Sequence, residues 1–421
     1  MKYSVMIPSK DGMPYLRFAV NSVLSHCYSD FELIVSVAKD ENEAVDFVKS
    51  IGDPRLVILH PDSAFSMTEH WDWVQRAARG DWQIFVGQDD GLQAGFFDLA
   101  DELVSLAVIH QTRVIASSRA YLHWPGSFFD RDGRGSVVRE SKNEVQIRSL
   151  QKDTLSALIG SKSYFELPQM YTTSLFHSSV ITDCRAVQGG DFLTCHPQDA
   201  NLVALANGCE DRYLLSGVPL GWVGSSKKSA GFALSVPPRR KQSVGEEEQL
   251  LAKSYLTSVA QSRHAYPTWA GDFSLGNLRI YLWQALRLTS QVQDRDFVEK
   301  IESPAFIALL LAKCRAEAPK GQRASYSEGL RSVAERNGVQ PQATYSSDAM
   351  VFLVAKILRR TARALRSIPR RIRWIVPKKF RTQWERVSAG EPWQEPFILG
   401  GVPLPEIKFS ELRISSKIAR A

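Results

Sequence analysis

Two adjacent carboxylates, Asp89 and Asp90, follow an apolar run in the stretch IFVGQDDGL, Ile84 to Leu92. A buried strand needs neither charge. Two carboxylates a few ångströms apart repel, and one takes up a proton unless a cation lies beside them. Mg²⁺ or Mn²⁺ suits such hard oxygen donors and commonly binds through one or two carboxylates while phosphate oxygens and waters complete its shell. The pair therefore points to a metal held with a phosphorylated ligand. A plainer reading stands beside it: Asp-Asp-Gly is also the composition of a solvated turn.

The elements that must position this pair alternate in type. Tyr3–Ile7, Phe31–Val37, Leu56–Leu59 and Trp82–Val86 are short, rich in β-branched and aromatic residues, and bounded by Pro, Asp or Gly, as strands are. Between them, Leu16, Ala19, Val20, Val23 and Leu24 recur on one helical face after Pro14. A second helix is expected over Glu41–Ser50. A third opens on the capping-box pattern Ser66-Met67-Thr68-Glu69 and is expected to end near Gly80. This rhythm predicts an α/β fold with a mainly parallel sheet and right-handed crossovers.

In such sheets ligands bind beyond the carboxyl ends of the strands. Three loops share that edge: Pro8-Ser9-Lys10-Asp11, Ala38-Lys39-Asp40 and Gln88-Asp89-Asp90-Gly91.

The order and spacing of these pieces resemble a family 2 glycosyltransferase of the GT-A fold, a Rossmann-like nucleotide-diphospho-sugar transferase. The segments that carry the likeness are VMIPSKDGMPYLRFAVNSVLSHCYSDFELIV, DPRLVIL and ARGDWQIFVGQDDGL. They cover about the first hundred residues. A looser likeness continues through HPQDANLVALANG and VPLGWVGSSKKSAG to about residue 231.

The resemblance implies an inverting enzyme that moves a sugar from a nucleotide-sugar donor to a saccharide or lipid-linked acceptor, in cell-surface polysaccharide or glycolipid assembly. It implies Asp199 as general base, with Gln198 where the family has Glu. Pro8, Ser9, Lys10, Asp11, Asp40 and Asp89 would line the donor site, and Asp89 and Asp90 would hold the divalent metal. Other positions also depart from the pattern: Val37 and Ala38 stand where a base-contacting Asp is usual, Gly87 replaces the first Asp of the metal motif, and Lys10 takes a place where an aromatic residue is common.

An in-line displacement at an anomeric carbon needs a base on the acceptor side and charge stabilisation on the departing diphosphate, which agrees with these roles. By itself, Asp199 also reads as a carboxylate stabilising a helix start. Trp71 reads either as a stacking surface for a sugar or base, or as core; His70 supports no more than a polar contact. Two other classes remain open, a non-catalytic scaffold or carbohydrate-binding protein with this fold, and a nucleotidyltransferase.

The chain has 421 residues and a formal net charge of +7, enough for a first domain and a helical remainder. The expected division is a GT-A domain over 1–231, a polar linker over 232–250, a helical region over 251–345, and a basic amphipathic region over 346–421. Asp130 to Gly135 reads as an exposed loop. Helices are expected over Leu250–Ala260, Leu278–Leu288 and Pro304–Ala316.

Met350–Arg381 is dense in Arg and Lys and holds no Asp or Glu. Apolar Leu353, Ile357, Ala364, Leu365 and Ile368 recur among the basic residues. An anionic membrane surface is the leading partner, at about 1 kcal/mol per basic residue; an acidic face of the same protein and nucleic acid are the alternatives, and nucleic acid is not expected.

The five cysteines are scattered without CxxC or zinc spacing and read as reduced thiols. The opening MKYSVMIPSKDG is too short in apolar residues for a signal-peptide core, and no run approaches the ~18 residues of a spanning helix. These features set the expectation of a cytoplasmic chain, peripheral on the inner face of the membrane.

Overall fold

The computed structural model describes residues 1–61, 65–125, 127, 136–229, 277–317, 323–339, 383–388 and 413–414. Its large sheet is built from β1 (Tyr3–Pro8), β2 (Phe31–Ser36), β3 (Leu56–Leu59), β4 (Trp82–Phe85), β6 (Val114–Ser117), β9 (Glu144–Ser149), β10 (Ser174–His177), β11 (Arg212–Ser216) and β14 (Arg413–Ile414). The strand order is β14-β9-β11-β6-β10-β4-β1-β2-β3. The half β4-β1-β2-β3 is parallel throughout, and β10 enters antiparallel between β4 and β6. A smaller sheet has the order β13-β8-β7-β12-β5, from β5 (Gly91–Leu92), β7 (Ala120–His123), β8 (Ser136–Ser141), β12 (Gly221–Ser225) and β13 (Gln383–Ser388). The fold is thus mixed α/β with a mostly parallel central sheet followed by helices, as the alternating pattern predicts.

Helices α1 (Tyr15–Leu24), α2 (Asn42–Ser50), α3 (Met67–Gln75) and α4 (Phe96–Ile109) link the first strands. α3 starts on the expected capping box: the Ser66 hydroxyl accepts from the Glu69 N–H while the Glu69 carboxylate accepts from the Ser66 N–H. It ends five residues before Gly80, because the N–H groups of Ala77 and Ala78 bond the carbonyls three residues back and the chain tightens into a turn.

Glu32 holds that turn. Its buried carboxylate accepts from the Arg79 N–H at 2.7 Å, from the Arg79 guanidinium at 2.8 and 3.0 Å, and from the Ser4 hydroxyl at 2.7 Å. A buried charge so fully paired fixes geometry rather than adding much stability. Gly80 passes so close to β1 that a Cβ would lie 2.5 Å from the Ser4 nitrogen.

One apolar core lies between β1–β4 and helices α1, α2 and α4; another packs α3 and α6 (Ser178–Val187) on the opposite face. A further core joins α5 (Leu150–Leu158) and α7 (Gln198–Cys209) to the C-terminal helices Leu278–Leu288, Arg295–Glu302, Pro304–Glu317 and Arg323–Arg336. The expected helices over 278–288 and 304–316 are present. The expected loop at 130–135, the linker over 232–250, the helix over 250–260 and the basic segment over 350–381 lie outside the described residues. Among the described residues no helix is long and apolar enough to cross a membrane.

Candidate active site

Because β1, β2 and β4 run parallel, Pro8, Ser36 and Phe85 end on one edge, and their loops meet there. The Gln88 side-chain carbonyl accepts from the Ser9 hydroxyl at 3.0 Å and the Lys10 N–H at 2.9 Å. The Asp11 N–H donates to Glu41 at 2.9 Å. Ser9 is buried, whereas Lys10, Asp11 and Asp40 are exposed on the rim. Asp11 holds a left-handed φ of 53°, an uncommon conformation outside glycine that turns the loop across the cleft.

The two aspartates at the heart of this edge differ in their partners. Asp90 is wholly buried. Its Oδ2 accepts from the Gly87 N–H at 3.0 Å and the Thr172 hydroxyl at 2.5 Å, and its Oδ1 accepts from the Gly224 N–H at 2.5 Å. The Tyr171 phenol also bonds this carboxylate. Asp89 engages through Oδ2, which accepts from the Ser226 hydroxyl at 2.7 Å and the Ser229 hydroxyl at 2.5 Å. Its backbone carbonyl accepts from the Trp124 indole at 2.7 Å. Burial pushes both carboxyls above the usual range, and for Asp90 the neighbouring Asp89 charge adds to it.

Two further segments complete this pocket. The small sheet brings β12 beside β5, which places Gly224 so close that a Cβ would lie 1.8 Å from the Asp89 carbonyl oxygen. The chain then turns through Ser226–Ser229, and the Lys228 ammonium donates to the Asp11 carbonyl at 2.7 Å. From the other side the loop before β10 pairs with the end of β4: the Phe85 N–H donates to Met170 and the Thr172 N–H to Phe85. Met170 and Thr172 adopt left-handed φ values of 48° and 26°, strain that brings Tyr171 and Thr172 onto Asp90.

These contacts explain Gly87. A Cβ there would lie 2.2 Å from the Tyr171 hydroxyl and 2.8 Å from Asp90 Oδ2, so the space an aspartate side chain would need is filled by protein. Gly87→Ala is expected to lower stability by about 2 kcal/mol. The pairing with Tyr171→Phe should lose less than the two single changes summed, which denaturant melts of all three variants would show.

Asp199 lies in the first turn of α7, where its Oδ1 accepts from the Ala200 N–H at 2.9 Å; Pro197 is the capping residue. The approach to α7 is fixed by Asp72, which accepts from the Phe192 and Leu193 N–H groups at 2.8 and 3.1 Å. Burial raises the Asp199 carboxyl above its usual range, opposed by the Tyr164 hydroxyl and the Arg119 guanidinium. Arg119 also acts on Tyr171, which feels both Asp90 and Asp89. Arg119 is held by the Phe165 carbonyl at 2.8 Å and the Gln169 side chain at 2.5 Å.

Trp71 belongs to the core: it is 7% exposed and packs on Phe85 at 4.4 Å and Tyr171 at 5.6 Å between ring centres, beneath the site rather than lining it. His70 accepts or donates to the Ser36 hydroxyl at 2.7 Å, and its burial together with the Lys10 charge pushes it down to about 4. Val37 is fully buried, so the loop after β2 offers Asp40 only from its exposed end.

Sequence reasoning missed Tyr171, Thr172, Arg119, Ser226 and Ser229. The last two stand in the quoted VGSSKKS loop, where paired hydroxyls were the available signal. Among the described residues no group of three His, Cys, Asp or Glu side chains converges as a metal site. The donor set around Asp89, one carboxylate and two hydroxyls, is hard and small, which fits Mg²⁺ or Mn²⁺ completed by phosphate oxygens and water.

No family model matches the chain, and no curated protein matches it. Among solved structures, S. aureus TarS 1-349 in complex with UDP-GlcNAc aligns at a TM-score of 0.43 and 14% identity, over 83% of this chain and 90% of that one. The same TarS fragment in complex with UDP aligns at 0.41 and 11%, over the same shares. S. aureus TarS aligns at 0.41 and 15%, over 79% of this chain and 55% of that one. At these scores the likeness is too loose to bear on function.

Proposed function

We propose that the chain is an inverting glycosyltransferase that moves a sugar from a nucleotide-sugar donor to a saccharide or lipid-linked acceptor. The observation that carries this reading is the division of labour at the carboxyl edge. Asp90 is consumed in bracing the segments around it, while Asp89, at the same turn, is held by the Ser226 and Ser229 hydroxyls and is the carboxylate suited to a cation. A divalent ion bound there would neutralise charge building on the departing diphosphate.

The remaining steps belong to this chain's own side chains. Pro8, Ser9 and Gln88 shape the floor against which the donor rests. Lys10, exposed on the rim, offers an ammonium to a phosphate. Asp199 accepts the proton of the acceptor hydroxyl as that oxygen attacks the anomeric carbon from the face opposite the diphosphate. Its affinity for a proton, raised by burial, suits a base, and the Arg119 charge opposes part of that rise. The Met350–Arg381 segment is assigned to an anionic membrane surface, where a lipid-linked or cell-surface acceptor would be met.

Incubating the full chain with nucleotide sugars and Mn²⁺ tests the reaction class. Release of nucleoside diphosphate, lost in Asp89→Ala and reduced in Asp199→Asn, is the expected result. Release of pyrophosphate would instead indicate a nucleotidyltransferase. Ligand binding without turnover, untouched by either change, would support the second reading, a scaffold with this fold. That reading draws on Gly87, which leaves the metal motif with one available carboxylate.

A further inference from the structure

Far from the carboxyl edge, two of the scattered cysteines meet. Cys184 lies on α6 and Cys209 ends α7, 25 positions apart in sequence, and their sulfurs are 3.2 Å apart in the reduced state. Cys184 is fully buried, and Cys209 is partly exposed. Cys195, in the loop before α7, and Cys314, on the helix Pro304–Glu317, are buried elsewhere, and Cys27 is exposed.

We propose that Cys184 and Cys209 form a redox-sensitive pair that closes to a disulfide under mild oxidation by a peroxide, stapling α6 to α7. The sulfurs need to approach by about 1 Å to reach the ~2.05 Å of a disulfide. The two helices already pack together, so the closure falls on the side chains.

The environment assigns the order of events. Cys209 is the less buried of the two, and the Arg113 charge beside it favours its thiolate. Arg113 reaches this end of α7 through its own bond to the Cys209 carbonyl at 3.1 Å.

Cys209 as thiolate attacks one peroxide oxygen, giving a sulfenic acid and releasing hydroxide, which takes up a proton to leave as water. The Cys184 sulfur then attacks the sulfenic sulfur; the S–S bond forms, the S–O bond breaks, and a second water leaves with the Cys184 proton. Two thiols are oxidised by two electrons and one peroxide is reduced. Because α7 carries Asp199 at its other end, the staple tethers the far end of the helix that holds the proposed base. The thiol chemistry itself does not depend on the glycosyltransferase reading.

The test is peroxide treatment of the full native chain at stoichiometric dose, alkylation of remaining thiols, and peptide mass mapping. The expected product is a Cys184–Cys209 cross-link that a dithiol reverses, with the thermal midpoint raised by roughly 5 °C. In Cys184→Ala, Cys209 should stop at the sulfenic acid and be trapped by dimedone; in Cys209→Ser, Cys184 should remain a thiol. Wild-type protein in which both thiols stay alkylatable while Cys27 oxidises, or in which Cys209 proceeds to the sulfinic acid without a cross-link, would overturn the proposal.

Discussion

Asp199→Asn is expected to lower turnover by about 10²- to 10⁴-fold while leaving nucleoside diphosphate affinity nearly unchanged. The asparagine keeps the shape and can still accept from the Ala200 N–H, so α7 keeps its first turn. It cannot take a proton from an acceptor hydroxyl. A capping role alone would predict the reverse, a small loss of stability with turnover preserved.

The pH profile separates the two further. Burial raises the Asp199 carboxyl, so the active, ionised form disappears as pH falls through a value above the ~3.9 of a free aspartate. The acid limb of turnover should therefore lie above that of an ordinary carboxylate. Removing the Arg119 charge, which favours ionisation, should move the limb higher still, and Arg119→Lys should restore part of the shift.

The second large effect concerns stability. Asp90→Ala is expected to cost about 3–5 kcal/mol, because it strands the buried N–H groups of Gly87 and Gly224 and the hydroxyls of Thr172 and Tyr171 at once. Relief of repulsion with Asp89 offsets only part of that loss. Asp89→Asn should cost far less, since the amide oxygen can go on accepting from the Ser226 and Ser229 hydroxyls. Denaturant melts that ranked the two in the opposite order would show that the adjacent carboxylates do not divide their roles as described.

The parallel half of the sheet was legible because local signals agree with tertiary packing there. Leu56–Leu59 is a strand with those bounds, and Ser66 and Glu69 cap the helix they announce. Both depend on residues within four positions of each other. The end of α3 was overshot because Glu32, far away in sequence, holds Arg79 in a turn.

The site was half legible for the same reason. Asp89, Asp90, Asp199 and the loop after β1 lie in recognisable segments, whereas Tyr171 and Thr172 reach Asp90 across some eighty positions from a strained loop without glycine. Gly87 reads in sequence as a lost aspartate; in space it is the opening through which a tyrosine hydroxyl braces Asp90. The antiparallel entry of β10, four residues long, and the meeting of Cys184 with Cys209 likewise rest on contacts that no local pattern encodes.

The central claim is that the carboxyl edge binds a nucleoside diphosphate through a cation on Asp89. Thermal shifts of the full chain with a panel of nucleoside diphosphates, each with and without Mn²⁺, test it most directly, because a ligand that binds only the native state raises the midpoint. The expected result is a rise for one base that requires Mn²⁺ and vanishes in Asp89→Asn. A midpoint unmoved by every nucleotide, or a rise that persists without metal and in that variant, would contradict it.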